Sequence, residues 1–379
     1  SDIVLNTPFA IIRTLFANSF KKTNFPDVTQ QVILDKIQPI KQYHNNPSTK
    51  PNVVVMILES YGREYSGAFN GNLKIPGYKS HTPFIDSLAQ QGLIFRNAYA
   101  NGRQSIHGMS SVLAGIPSFK DAFTSSPYPK QKIESLVSTL EGIGYTTSFF
   151  HGAANGSMGF QGFGNILGFD AYYGRTEFND DSQFDGFWGI WDEPFFQFMK
   201  RTIDTQKVPF FSTIFTVSSH EPYIIPEKYK TRFKEGELVM HKCVEYTDFA
   251  LQQFFKSAKK EPWFANTIFV FVADHGNQTY YKEYQKPIQR FAVPILFYKP
   301  NSNYVGVNDD WAQQIDIYPT LLDMIGYPKP FRSWGRSLLD KSTEPFVINS
   351  TGTIYQFAKG NFICTFDGQK VLGFYDKND

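Results

Sequence analysis

The chain has 379 residues, 41% of them apolar and 17% aromatic, enough to bury one large α/β core with a smaller appendage. A formal charge of +2, with no run of Lys and Arg beyond ordinary surface clusters, argues against a nucleic-acid partner. Two cysteines, Cys243 and Cys364, exclude a disulfide-rich scaffold; two separate thiols and one bridge both fit.

No stretch reaches the roughly 18 to 20 apolar residues that span a bilayer, and no signal peptide opens the chain. The first segment is apolar and aromatic, with helical spacing at Phe9, Ile12, Leu15 and Phe16. A helix packed on the domain and a juxtamembrane remnant of a missing anchor both fit it. Residues 1–50 are therefore expected to be helices and a polar connector, ending in the turn-rich "HNNPSTKPN".

The texture then changes. "NVVVMILES" is a continuous apolar run, expected of a parallel strand buried on both faces. "TPFIDSLAQQGLIF" predicts a helix with Thr82 as N-cap, Pro83 at its first position and Gly92 at its exit. "IESLVSTLEGIGYTTSFFH" repeats the plan, with a strand ending at His151. "VPFFSTIFTVSSHEP" is a strand ending near His220, "CVEYTDFALQQFFKSA" a helix, and "NTIFVFVADHG" another buried strand. "VPILFYKP" and a helix over "DWAQQIDIYPTLLDMIG" complete the alternation, which implies a mostly parallel sheet covered on both faces. After about Arg332 come short β segments, "PFVINS", "TIYQFA", "NFICTF" and "KVLGFY". The expected organisation is a helical linker over 1–50, a catalytic domain over 51–332 and a small antiparallel β subdomain over 333–379.

Polar groups fall where predicted strands stop: Glu59, His151, His220 and Asp274-His275. Parallel α/β sheets bind ligands beyond the carboxyl ends of their strands, and carboxylates gathered with imidazoles suit a divalent metal. A strand-end histidine is also a common structural residue, so the pattern by itself stops at a metal-dependent hydrolase or transferase. In "NGRQSIHGMSSVLAGIP", Ser105 follows a Gly-containing loop and opens a small-residue helix. A helix N-terminus favours a phosphoryl or sulfuryl oxyanion, and a hydroxyl there is a candidate nucleophile. An N-cap role fits Ser105 equally well. Ser110 and Ser111 lie inside the same helix and read as packing residues.

"NVVVMILES", "HTPFIDSLAQQGLIFRNAYANGRQSIHGMSSVLAGIP", "FFHGAANGSMGFQGFGNILGFDAYYG", "TVSSHEPY", "FVFVADHGN" and "QIDIYPTLLDMIGY" together resemble one family. It is the extracytoplasmic catalytic domain of the lipoteichoic acid synthases, within the alkaline phosphatase and sulfatase superfamily. The segments keep the family's order over roughly residues 50–330. The resemblance implies an α/β sulfatase-like fold with a mostly parallel sheet and a small C-terminal antiparallel β subdomain. It implies one divalent cation, manganese, magnesium or zinc, held by Glu59, Ser105, Asp274 and His275. Ser105 falls where the family has its nucleophilic threonine, His220 where a histidine contacts the phosphoryl group, and His151 at a further active-site histidine. The implied activity moves phosphoglycerol or phosphoethanolamine from a phospholipid donor to a glycan or lipid acceptor through a covalent phospho-Ser105. The implied location is the outer side of the cell membrane, held there through an N-terminal anchor.

Three departures stand out. The nucleophile position holds serine, and His107 stands where relatives often carry arginine. "NGSMGFQGFG" lacks the tryptophan and arginine that help lipoteichoic acid synthases hold glycerol phosphate. Arg103 and His107 flank Ser105; a substrate-binding positive charge and a solvent-facing side chain fit each. A sulfatase needs C/S-x-P-x-R, and Ser105-Ile106-His107-Gly108-Met109 has neither the proline nor the arginine. A phosphodiesterase using the same serine fits the same residues, and so does a non-catalytic lipid-sensing module. Occupied nucleophile and ligand positions count against the module.

Overall fold

The computed structural model describes residues 28–47, 49–117, 122–123 and 133–377. The helical pattern at Phe9, Ile12, Leu15 and Phe16 lies outside them.

Eight strands form the central sheet: β1 (Asn52–Leu58), β2 (Leu93–Phe95), β3 (Thr146–His151), β4 (Ala171–Tyr173), β5 (Phe210–Phe215), β6 (Thr267–Ala273), β7 (Ile295–Tyr298) and β8 (Gly306–Asn308). Their order is β8-β2-β7-β6-β1-β5-β3-β4. Only β7 runs antiparallel to its neighbours, so the sheet is mixed but mostly parallel.

The central strand β1 shows why the run "NVVVMIL" carries no polar alternation. Side chains alternate across a strand. Val53, Val55 and Ile57 enter one apolar layer and Val54, Met56 and Leu58 the other. The first layer is closed by α3 (Ser105–Ala114), α4 (Leu136–Glu141), α5 (Phe160–Leu167) and α8 (Ile317–Met324). The second is closed by α2 (Pro83–Ala89), α6 (Asp192–Ile203) and α7 (His241–Ala258). A strand with apolar layers on both faces has no surface that needs polar residues. Upstream of β1, α1 (Gln30–Ile37) buries no residue, and Ile40–Lys41 pair with Phe331–Arg332.

A second, antiparallel sheet ends the chain: β9 (Phe346–Ser350), β10 (Tyr355–Lys359), β11 (Phe362–Phe366) and β12 (Val371–Asp376), paired in that order. Its Val347, Ala358 and Ile363 pack on Tyr284, Ile288 and Phe291 of the main body. No helix among the described residues is long and apolar enough to cross a membrane.

Local expectations change in two places, and one open alternative is settled. The helix expected from residue 310 begins only at Ile317, because Ala312–Gln313 pair in parallel with Ala98–Tyr99 and Gln313 and Asp316 form a reciprocal capping box. Thr82 precedes α2, yet its hydroxyl bonds Ser66 and no side-chain cap forms; Asp248 accepts the Phe84 and Ile85 N–H groups instead. Both cysteines are free: Cys243 is buried, its thiol pushed up to about 12 by burial, and Cys364 is half-buried.

Candidate active site and metal centre

Strands β1 and β6 are paired in parallel with Leu58 opposite Ala273, so Glu59 and Asp274 leave the sheet side by side. Both are buried, with 1% and 0% of their surface exposed. Ser60 turns the chain in the left-handed region, φ 57°, which non-glycine residues rarely occupy. In that turn its N–H donates to Asp274 Oδ1 at 2.7 Å and its hydroxyl to Glu59 Oε1 at 2.6 Å. The turn thus positions both carboxylates at once.

Helix α3 delivers the hydroxyl. Ser105 is its first residue, with Gln104 at the cap, and the Ser105 hydroxyl donates to Glu59 Oε2 at 3.0 Å. The same oxygen lies 3.4 Å from His275 Nε2. Gly108 allows this approach: a Cβ there would stand 2.7 Å from Asp274 Cβ and 2.8 Å from its Cα. Ser110 and Ser111 donate to the His107 and Ile116 carbonyls and play no part in the cluster.

His275 donates Nδ1–H to the Gly276 carbonyl at 2.7 Å, which turns the Nε2 lone pair inward. That nitrogen stands 3.3 Å from Asp274 Oδ2 and 3.8 Å from Glu59 Oε1. Donor atoms of Glu59, Asp274 and His275 all lie within 4.8 Å of one another. Asp274 Oδ2 is buried without a hydrogen-bond donor. Burial and the neighbouring Glu59 push the Asp274 carboxyl up to about 7. Burial works against Glu59 ionisation too, but His220 and His275 outweigh it and hold its carboxyl well below the usual range. Two carboxylates, an inward imidazole lone pair and an unpaired buried oxygen fit a divalent cation.

His220 Nε2 reaches 3.3 Å from Glu59 Oε2, the oxygen that also accepts from Ser105. Burial pulls its imidazole pKa down, but the Glu59 carboxylate prevails and holds it above the ordinary value. Trp188 stacks on this ring with centroids 4.2 Å apart and planes 17° from parallel. The indole is fixed by an N–H donated to the Glu221 carbonyl at 2.6 Å.

His151, the last residue of β3, is fully buried and donates Nδ1–H to the Phe215 carbonyl at 3.1 Å. Its Nε2 is buried without a partner, and burial pushes its pKa down to about 4. His107 is buried as well, its pKa lowered first by burial and then by His275, so it is neutral at neutral pH. Arg103 is exposed, with its guanidinium 5.9 Å above the Phe291 ring; no hydrogen bond or ion pair among the described residues ties it to the cluster.

Several contributors carry no motif of their own in the sequence. Besides Ser60 and Trp188, the Thr216 hydroxyl accepts the Glu59 N–H at 2.9 Å. Gln314 donates to the Ala273 and Asp274 carbonyls, both at 2.7 Å, and accepts the Asn101 N–H at 2.9 Å. Gln314 therefore ties the end of β6 to the loop before Ser105. A polar residue between apolar neighbours in "QQIDIYP" is its one sequence signal.

The lipoteichoic acid synthase-like protein YvgJ of Bacillus subtilis is 24% identical over 361 residues, covering 84% of this chain and 56% of YvgJ. Lipoteichoic acid synthase 1 of the same organism is 24% identical over 341 residues, covering 83% of this chain and 52% of that protein. The chain thus spans about half the length of the curated relatives it matches. Among solved structures, a protein in the alkaline phosphatase superfamily from Vibrio parahaemolyticus superposes with a TM-score of 0.77 at 25% identity, covering 88% of this chain and 84% of its own. The lipoteichoic acid synthase LtaP of Listeria monocytogenes shares the fold, with a TM-score of 0.75 at 21% identity and coverage of 90% and 88%. The family profile described as Sulfatase matches residues 51–327, most of the sequence, and the chain belongs to the sulfatase family.

Proposed function

We propose that this chain is the catalytic part of a metal-dependent transferase working on the outer side of the cell membrane. It moves phosphoglycerol or phosphoethanolamine from a phospholipid to a hydroxyl of a glycan or lipid acceptor. The observation that carries this reading is the Ser105 hydroxyl, held at a helix N-terminus against Glu59 and beside His275. The names of the relatives support the substrate class.

Glu59, Asp274 and His275, with Ser105, would hold one divalent ion, manganese, magnesium or zinc, which when bound lowers the hydroxyl pKa and neutralises charge building on the phosphoryl oxygens. The donor set does not choose among the three. The residues do the rest. Ser105 Oγ attacks phosphorus and the bond to the diacylglycerol oxygen breaks, leaving a phosphodiester on Ser105. The serine proton leaves along its hydrogen bond to Glu59 Oε2, which His220 Nε2 shares at 3.3 Å. His220 delivers a proton to the departing oxygen. In the second half the acceptor hydroxyl attacks phosphorus and gives its proton to His220, the bond from phosphorus to Ser105 Oγ breaks, and that proton passes back by way of Glu59 Oε2 to Ser105 Oγ. His151, neutral and with its Nε2 buried without a partner, contributes no positive charge to the site.

The test is diacylglycerol release from vesicles of phosphatidylglycerol or phosphatidylethanolamine, with and without a glycan acceptor. Headgroup appearing on the acceptor supports transfer. Headgroup released only to water makes the protein a phosphodiesterase, and no diacylglycerol from either lipid overturns the reading.

A further inference from the structure

We propose a second metal site, built by His81, Glu237 and His241, that takes zinc or a similar borderline divalent ion. It is independent of the site around Ser105 and shares no residue with it.

The three side chains offer donor atoms that all lie within 4.8 Å of one another. One oxygen, Glu237 Oε2, stands 3.8 Å from His81 Nε2 and 3.5 Å from His241 Nδ1. Ligands about 2.0–2.2 Å from a tetrahedral zinc lie about 3.4 Å apart, so these separations are close to the edges of such a shell.

Both imidazoles are set up as ligands. His81 Nδ1–H donates to Glu245 Oε1 at 2.9 Å, which leaves the Nε2 lone pair toward Glu237. A carboxylate behind a metal-binding histidine is the arrangement that fixes tautomer and raises ligand basicity. His241 Nδ1 accepts the Leu238 N–H at 3.3 Å, so that nitrogen is unprotonated, and an ion would take its lone pair over from that N–H. The two rings are buried, 3% and 2% exposed, and stacked with centroids 3.8 Å apart. Burial and the neighbouring ring hold His241 in the neutral form that binds metal.

Gly236 keeps the space open: a Cβ there would lie 2.5 Å from His241 Nδ1 and 3.1 Å from His81 Cε1. The rings are 25° from parallel, and an ion would have to tilt them further apart for both lone pairs to converge on it. Two imidazoles and a carboxylate suit zinc better than the hard, all-oxygen ions, with water completing the shell.

The position gives the site a bracing role. His81 lies in the loop before α2, Glu237 in the turn before α7, and His241 is the first residue of α7. The Tyr65 ring meets His241 edge-on at 5.5 Å, and its hydroxyl donates to the Gln278 carbonyl, three residues past His275. A bound ion would therefore tie two segments together behind the loop that follows the catalytic strand end.

The experiment is zinc binding to chelator-treated protein by equilibrium dialysis, with X-ray absorption to count imidazole ligands. The Asp274→Asn variant is the background, because it disables the first site. That protein is expected to bind one zinc with two imidazoles, and Glu237→Gln added to it should weaken binding at least about tenfold. Glu237 is 35% exposed, so this change leaves the fold intact, and a circular dichroism spectrum checks it. His81→Gln in the same background should do likewise. If the Asp274→Asn protein takes up no zinc, or holds it unaffected by both changes, the proposal is wrong and the cluster is an ion-free hydrogen-bond network.

Discussion

The indole of Trp188 lies flat against the imidazole of His220, centroids 4.2 Å apart. The stack leaves His220 little freedom to swing away from Glu59 Oε2, 3.3 Å from its Nε2. An aromatic pair of this kind contributes about 0.5–1.5 kcal/mol. Trp188→Ala should therefore lower kcat/KM for headgroup transfer about tenfold, while Trp188→Phe, which keeps the stack and loses the indole N–H, should retain most of it. Equal rates for the alanine variant and wild type would show that His220 needs no such support.

Gly108 faces backbone, not a flexible side chain, so a methyl group there cannot be absorbed. Gly108→Ala should force α3 away from Asp274 at about 1–3 kcal/mol of stability. A displacement of about 1 Å at Ser105 should lower kcat about 100-fold. Gly162, in α5, is a control: a Cβ there meets nothing within 4 Å. Gly162→Ala should leave kcat unchanged and raise stability by up to about 1 kcal/mol. Thermal melts and single-turnover rates on both variants decide the point.

Asp274 pairs a functional gain with a stability cost. In metal-free protein its carboxyl titrates at about 7, well above the ordinary carboxylate value. A raised native pKa means that stability is lost as pH climbs through 7 and is recovered below it. At pH 8, chelated Asp274→Asn protein should be more stable than chelated wild type by a few kcal/mol, roughly 1.4 per pH unit of the shift. The gap should narrow as pH falls below 7 and close only near the ordinary carboxylate pKa of about 4, and activity should be absent. Chelated wild type that melts no lower than the variant at pH 8 would contradict the repulsion between Glu59 and Asp274.

His151 carries the opposite sign. Its native pKa of about 4 lies below the ordinary imidazole value, so the unfolded chain takes up a proton first as pH falls. Its contribution is intact at pH 8 and erodes from about pH 6.5 downward. Between pH 8 and pH 5, His151→Gln should lose about 2 kcal/mol less stability than wild type. The His151 ring should also show no NMR titration across that range; a midpoint near 6.5 would refute its burial as a neutral ring.

The parts of this molecule that read directly from sequence are those made by one continuous segment. "NVVVMIL" and "TIFVFVA" are apolar after their first residue because both of their faces are covered, and that marks Glu59 and Asp274 as strand-end residues. The four C-terminal β segments were legible through their turn residues. What was hidden depends on partners far apart in the chain. Trp188 meets His220 across 32 positions, and Gln314 reaches Asp274 across 40. Ala312–Gln313 are extended because Ala98–Tyr99 offer them a parallel neighbour, a tertiary cause that overrides the helical pattern around them. Ser60 adopts its left-handed turn for hydrogen bonds that only the assembled site provides.

The most direct test of the central claim is the mass of residue 105 itself. Protein incubated with manganese and phosphatidylglycerol or phosphatidylethanolamine vesicles, without acceptor, is quenched in acid, and the peptide containing Ser105 is weighed. The account predicts an adduct equal to phosphoglycerol or phosphoethanolamine on Ser105, absent from Ser105→Ala and lost when acceptor is added. Turnover of lipid with Ser105 unmodified at every time point, or undiminished in Ser105→Ala, would contradict it.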